Sequence, residues 1–378
     1  MYKILTKLKI LHITSWFPNK NNPKEAPWID RHIEALNLFC ENEVWHIRTI
    51  ENSPFKLEKY TSEKAKHRLF SLPTSRWFFI ELITFFQLFW FALTNGSLIK
   101  ESDVINFHIA YPSLTYWKLL KPFFKNKPVV ITEHWSAYHF NFGVQKPLPK
   151  AQNIFKQNLP VISVSKALIN DIEEFSKASF PFSIVSNVVD IDVFYLDKGK
   201  QSITPRFFMV SQWNAPKDPF AVINAFKKLL LPHPKALLII GGYGNQIDQI
   251  KALIESENLK QNVNLIGLLN SDQIAEEMNK ATAFIHNSKY ETFSVVCAEA
   301  ICCGCPVVAS NVGGIKEFVI EENGVLYNSA DELLNVMNHM ILNPLKREPI
   351  AVFGEAHFSY KVVGDKYFKA LKNYANPA

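Results

Sequence analysis

Five cysteines in 378 residues make no disulfide framework, and a chain without one fits a reducing compartment. Cys302, Cys303 and Cys305 contain a literal C-x-x-C, but no second metal-ligand pair lies nearby. They sit in the apolar run Ala298–Ala309 and read as small core residues. No other His, Cys or acidic group has metal-ligand spacing, so no metal is expected. A secretory pattern is also missing. Met1–Pro18 alternates lysines with apolar residues and has no long apolar core or small-residue cleavage site, so a cytoplasmic location is expected. No repeat of fixed short period is visible.

Long apolar runs are almost absent. The exception is Trp77–Leu93, apolar at 14 of 17 positions and interrupted by Glu81, Thr84 and Gln87 at a spacing of three. It is near the lower length limit for a span. The strands expected on either side of it, Glu43–Arg48 and Val104–Phe107, should share one sheet, so a crossing is excluded on topology. The segment is expected to be buried in part and to rest in part on a membrane surface. Lys118, Lys121, Lys125 and Lys127, set among aromatics, favour that surface role. Charge is also unevenly spread. Through Asp190 there are 23 Lys+Arg against 16 Asp+Glu, and after it 18 against 19, giving a basic half that serves either solubility or an anionic partner such as a phospholipid surface or a pyrophosphate-bearing acceptor.

Length suits two domains of roughly 150–200 residues. Short β-branched or apolar runs alternate with amphipathic helical stretches, the pattern of parallel sheets covered by helices. Strands are expected at Lys9–Thr14, Glu43–Arg48, Val104–Phe107, Val129–Thr132 and Val161–Val164, then at Phe207–Ser211, Ala236–Gly241, Val263–Ile266, Ala283–His286 and Pro306–Ala309. This gives an α/β chain of two doubly wound, Rossmann-like domains, with ligand sites at the carboxyl ends of strands facing a cleft. The expected division is 1–188, a turn-rich linker at 189–204, a second domain at 205–352, and a C-terminal helix at 353–378 that crosses back to the first domain.

The densest chemistry lies between Glu291 and Glu317, read as loop, helix, tight turn, strand and glycine loop. Thr292–Val295 form a first helical turn whose free N–H groups and dipole suit a phosphate. Glu291 stands at the mouth, where it can accept hydrogen bonds from sugar hydroxyls. Glu299 lies one and a half turns inside, in an apolar run where a charge needs a partner.

This stretch resembles the E-x7-E region of glycosyltransferase family 4, the "group 1" retaining enzymes of GT-B fold. The likeness extends in register through Leu238–Gly244, Val263–Leu268 and His286–Glu291 upstream, and Asn323-Gly324 downstream. It is looser in Ser186–Asp190 with Phe194, and in Thr14–Pro18 through Pro27–Arg31, similar to the family's acceptor-side opening loop. The resemblance implies a nucleotide-sugar donor, UDP- or GDP-linked, no cofactor, and a glycan or lipid-linked sugar acceptor. It implies retention of anomeric configuration; the basic, aromatic-rich first half adds the expectation of a lipid-linked sugar acceptor in cell-surface polysaccharide synthesis, and no nucleic acid partner is expected.

Residue by residue, the resemblance implies that Glu291 contacts the transferred sugar, Lys217 neutralises the departing diphosphate, and His134 lies near the donor sugar. Glu299 would hold the ribose. Ser211, Gln212, Gly267 and Leu268, with the amides of Phe293, Ser294 and Val295, would complete the donor site. Trp16, Pro18, Trp28 and Arg31 would belong to the acceptor-side loop. Four departures stand out: Gln212 replaces an arginine, Ser294 a glycine, Ser186-Asn187-Val188 a P-N-G turn, and Glu25-Ala26-Pro27 a glycine-bearing loop. Asp190-Ile-Asp192 is a literal D-x-D but falls in the linker, so it is not expected to bind metal. The same fold also carries nucleotide-sugar epimerases, phosphorylases and non-catalytic partner subunits. The loss of arginine at Gln212 favours the last, whereas Glu291, Glu299 and Lys217 oppose it.

Overall fold

The computed structural model describes residues 7–51, 53–73, 77–146 and 148–375. The chain divides into two compact units, one of residues 1–188 with 360–378 and one of residues 189–359.

Unit 1 is built on an eight-stranded sheet. In chain order its strands are β1 (Lys9–Thr14), β2 (Glu41–Ile50), β3 (Lys56–Thr61), β4 (Lys66–Ser71), β5 (Val104–His108), β6 (Val129–Glu133), β7 (Val161–Ser163) and β8 (Phe182–Ile184). Their order across the sheet is β3-β4-β2-β1-β5-β6-β7-β8, parallel except for the β3–β4 hairpin. β1 beyond Lys9 and all of β5 are buried, as central strands covered on both faces are, with His12, Thr14, Asn106 and His108 among the buried side chains. The order reverses between β1 and β5, so a crevice opens beyond their carboxyl ends.

The helix Pro27–Asn37 starts on a proline, whose missing N–H costs nothing there, and buries Ile29, His32, Ile33 and Leu36 on one face. Against it packs the helix Tyr360–Ala375, which belongs to unit 1 although it ends the chain. The approach is close because residue 364 is glycine: a Cβ there would lie 2.4 Å from the Ala35 carbonyl oxygen. In place of one terminal helix from 353, two helices, Arg347–Phe358 and Tyr360–Ala375, meet at Ser359, and the first belongs to unit 2.

Unit 2 carries β9 (Arg206–Gln212), β10 (Leu237–Tyr243), β11 (Val263–Gly267), β12 (Ala283–His286), β13 (Val307–Ser310) and β14 (Gly324–Tyr327). All are parallel, in the order β11-β10-β9-β12-β13-β14, with the reversal between β9 and β12. The turn-rich stretch after Val189 is part of this unit. Phe194 is buried in it, and Asn279 holds the stretch by accepting from the Asp197 amide and donating to the Tyr195 carbonyl. Asp190 and Asp192 sit in a turn there, the Asp190 carboxylate accepting from the Asp192 amide. Buried Arg347 donates to the carbonyls of Met278, Asn279, Ala281, Cys303 and Gly304, so one cation closes the ends of two helices. All five cysteines are free and buried.

The helix Trp77–Thr94 turns its polar residues inward. Glu81, Thr84 and Gln87 are buried, while Phe79, Leu82, Phe86, Trp90 and Leu93 are exposed. Glu81 accepts from the Tyr111 hydroxyl and pairs with Lys150, and Gln87 donates to Thr49. The strand before it, β4, pairs with β2, and β2 and the strand after it, β5, both pair with β1, so all share one sheet. Among the described residues no helix is long and apolar enough to cross a membrane.

Candidate functional site

The reversal between β9 and β12 dictates where unit 2 has room for a ligand. The chain leaving β9 carries Lys217, and the chain leaving β12 carries Glu291, so the two arrive on either side of the crevice. An isolated bridge between Lys217 and Ser288 ties these loops together. There the Lys217 ammonium pairs with Glu291 Oε1, both side chains mostly buried. The same oxygen lies 2.8 Å from His286 Nε2, at the end of β12. A carboxylate only accepts, so this nitrogen carries the imidazole proton. Burial, followed by the charge of Lys217, holds His286 far below the usual histidine range, and it is neutral. Burial also pushes Lys217 down, to about 8, which leaves it a cation at neutral pH.

Glu291 is fixed by its backbone as well. Its carbonyl accepts the amide of Gly314, and a Cβ at Gly313 would fall 1.7 Å from that oxygen. Only glycine, here at φ +50°, allows this contact. Beyond Glu291 the chain enters the eight-residue helix Val295–Cys302, led by Ser294 at φ 76°. The free amides at its start and the buried Glu299 face one pocket of about 300 Å³. Lys217, His286, Glu291 and Ser211 complete its polar lining.

The structure thus brings Ser211, Lys217, Glu291, Ser294, Val295 and Glu299 together. It does not bring all the expected residues there. Gln212 is the exposed last residue of β9, one position beyond the lining. Gly267 ends β11, two strands from β9 at the sheet edge, and exposed Leu268 follows it. The Phe293 side chain is buried against Phe318 and Phe358, so only its backbone is offered. His286 was not singled out beforehand, since nothing in the sequence shows that a strand end aims it at Glu291.

Unit 1 has its own crevice. A cavity of about 380 Å³ beyond β1 and β2 is lined by Ser15, Trp16, Arg48, Glu51, Tyr111 and Trp135, among others. The Trp16 and Trp135 rings meet edge to face at 5.0 Å. Arg48 pairs with Glu25 of the opening loop. Pro18, Trp28 and Arg31 lie on the same loop and helix but outside the lining. His134 follows β6, buried against His32 and His108 at ring distances of 5.3 and 6.1 Å. Neither of its nitrogens has a hydrogen-bond partner among the described residues. Beside it Glu133, fully buried, accepts the amides of Ala110, His134 and Trp135 and the Tyr138 hydroxyl, and so shapes both loops at the crevice. Among the described residues no group of three His, Cys, Asp or Glu is placed to hold a metal ion.

Known proteins resemble this chain in sequence and in fold. Residues 197–355 match the family model of the glycosyl transferases group 1. The chain is 24% identical to N-acetyl-alpha-D-glucosaminyl L-malate synthase of Bacillus anthracis over 58% of its own length and 59% of that protein. It is 24% identical to GDP-mannose:cellobiosyl-diphosphopolyprenol alpha-mannosyltransferase of Xanthomonas campestris over 61% of its length and 62% of that protein. These alignments therefore span less than two thirds of either relative. Among solved structures, sucrose-phosphate synthase from Thermosynechococcus elongatus superposes with a TM-score of 0.74 at 18% identity, covering 97% of this chain and 99% of that one. The HepE protein of Anabaena, in complex with UDP, gives 0.73 at 17% identity, covering 97% and 100%. The chain has the GT-B fold of two Rossmann-like units, and its residues 197–355 carry the pattern of the glycosyl transferases group 1.

Proposed function

We propose that the chain is a glycosyltransferase of the group 1 type, taking a sugar from a UDP- or GDP-linked donor bound by unit 2. The acceptor is a glycan or lipid-linked sugar bound by unit 1, in cell-surface polysaccharide synthesis. The observation that carries the reading is the convergence of Lys217, His286, Glu291, Glu299 and the start of the helix Val295–Cys302 on one pocket. Each has work to do there. A nucleoside diphosphate gains negative charge as the glycosidic bond breaks, and a fixed cation at that point lowers the barrier. Lys217 is that cation. Before donor binding it is neutralised by Glu291. A diphosphate entering at the helix start would draw Lys217 away and free Glu291 Oε1 for a sugar hydroxyl. The carboxylate would stay aligned by His286 Nε2–H. Glu299 would accept from the ribose hydroxyls.

Transfer is proposed to retain configuration and to need no metal. Anomeric assignment of the product by NMR, with and without EDTA, tests both; inversion or loss of turnover in EDTA would reject the respective claim. The donor site itself is tested by a thermal-shift screen against UDP, GDP, ADP and their common sugars, on wild type and Glu299→Ala. A shift with one nucleotide family, lost in the variant, is expected. No shift with any nucleotide would overturn the reading in favour of a non-catalytic subunit.

The proposal includes contact with a bilayer surface. The exposed stripe Phe79, Leu82, Phe86, Trp90 and Leu93 has Leu119 and Phe123 beside it, the Phe89 and Phe123 rings being 4.7 Å apart. Exposed Lys118, Lys121 and Lys125 stand in the same segment as Phe123. An apolar face edged by lysines suits anionic headgroups.

A further inference from the structure

A second cavity in unit 1, of about 400 Å³, lies against the inner side of the helix Trp77–Thr94. Its wall is almost wholly apolar: Phe142, Val144, Leu148, Pro149 and Ala151 supply it from one segment. The charged groups in the lining are Glu81 and Lys150, which form an ion pair. The Glu81 side chain is buried, and Lys150 is half exposed. Tyr111 lines this cavity and also the polar one that holds Trp16, Arg48 and Trp135. One turn of the helix likewise serves both, with Ile80 and Thr84 on the polar cavity and Glu81 on the apolar one.

A cavity of mixed polar and aromatic lining and an almost wholly apolar one share a wall, with the Lys150–Glu81 ion pair at the second, and match a molecule divided into a sugar and a hydrocarbon. We propose that the apolar cavity binds the hydrocarbon segment of a phosphate ester with a long chain, isoprenoid or alkyl, while Lys150 takes its phosphate. A sugar joined to that phosphate would then extend past Tyr111 into the polar cavity. The half-exposed Lys150 can turn to a phosphate, which offers it more acceptor oxygens than Glu81 does, while Glu81 keeps the Tyr111 hydroxyl as its donor. The apolar wall excludes a purely polar glycan, because its hydroxyls would lose water there without gaining partners. This inference rests on the proposed use of a lipid-linked acceptor by unit 1. It adds where the lipid goes.

Calorimetric titration of the whole chain with farnesyl phosphate, dodecyl phosphate and inorganic phosphate, below the micellar concentrations of the two lipids, tests it. At least one of the two lipids is expected to bind, its chain type naming the source, and inorganic phosphate to bind at least about tenfold more weakly. Val144→Glu puts a charge in the wall and Val144→Trp fills the space; Val144 is half exposed, so both should fold. Each is expected to weaken the lipid phosphate at least about tenfold, and Lys150→Ala to weaken it as well. The double variant Phe86→Ser/Trp90→Ser, on the outer face, is expected to bind as wild type. No lipid binding, unchanged binding in both Val144 variants, or a loss confined to the outer-face variant would overturn the proposal. The nucleotide thermal shift is read on the same samples. If it persists while lipid binding fails, the donor site stands and only this inference falls. If it fails while the Val144 effects hold, the reverse is true.

Discussion

At the scale of single residues, two departures from expectation have energetic consequences. Ser294 leads the site helix at φ 76°, ψ 80°, a left-handed conformation that a side chain with a Cβ resists. Its hydroxyl recovers a contact with Cys297 Sγ at 3.2 Å, a weak one. Ser294→Gly is therefore expected to raise stability by about 1 kcal/mol, read as a higher denaturant midpoint at unchanged slope. A fall in midpoint would show that the hydroxyl contact outweighs the strain. The second residue is His286. His286→Leu keeps the bulk but removes the N–H that orients Glu291. A hydrogen bond to a charged group is worth about 1.5–3 kcal/mol, so the sugar's share of donor affinity is expected to drop at least about tenfold. Affinity for the bare nucleotide should stay. Calorimetry with nucleotide and nucleotide-sugar separates the two, and equal losses for both would refute the orienting role. Glu291 and Glu299 were readable in the sequence because their spacing is local, and Lys217 only through the family resemblance. His286 was not: the strand ending on it was legible, but not that its Nε2 meets an oxygen of Glu291 across the turn.

At the scale of elements, the helix Trp77–Thr94 shows what a pattern can and cannot tell. The three polar residues at a spacing of three were readable as one stripe, and the usual inference puts such a stripe in water. Here it lies inside, because Tyr111, Lys150 and Thr49 supply partners for Glu81 and Gln87. Those partners come from segments far away in sequence. Phe79, Leu82, Phe86, Trp90 and Leu93 are left outside, while Leu88 and Phe91 are buried. An outward face of this kind is expected to bring the chain down with vesicles of anionic lipid. Phe86→Ser/Trp90→Ser should reduce that cosedimentation several-fold, and high salt should reduce it too by screening the lysines. Equal recovery of variant and wild type would reject the surface. The long parallel strands were readable from their β-branched runs. The β3–β4 hairpin, β8 and β14 were not: they are sheet-edge elements, short or mostly polar, and pairing stabilises them more than composition does.

At the scale of the whole molecule, the two units should differ in their response to acid. Unit 1 buries His12, His32, His46, His67, His108 and His134, whereas unit 2 buries His286. Burial pushes His12 and His32 down to about 4 and His46 to about 3, with His67, His108 and His134 also lowered. His12 and His46 are further constrained by close contacts with His108 and His67, where two protons could not be held together. The groups facing them are mostly neutral, as Asn42, Asn106, Thr132 and Tyr367 are, and Glu133 is committed to four donors. A histidine whose folded value is depressed keeps its full contribution above the unfolded value near 6.5 and loses it as pH falls. Each such group costs about 1.4 kcal/mol per pH unit between 6.5 and its folded value. With several in one core, unit 1 is expected to lose most of its protection between pH 6.5 and 4.5, while unit 2, with one, loses far less. Hydrogen exchange followed by peptide mapping at pH 7 and pH 5, corrected for intrinsic rates, reads the two separately. Faster opening of β1, β5 and β6 at pH 5, with β9, β10 and β12 still protected, is the expected result. Parallel loss in both units would place the acid sensitivity elsewhere, and His12→Gln, which keeps a polar side chain without the titration, should flatten the slope if the cluster is its source.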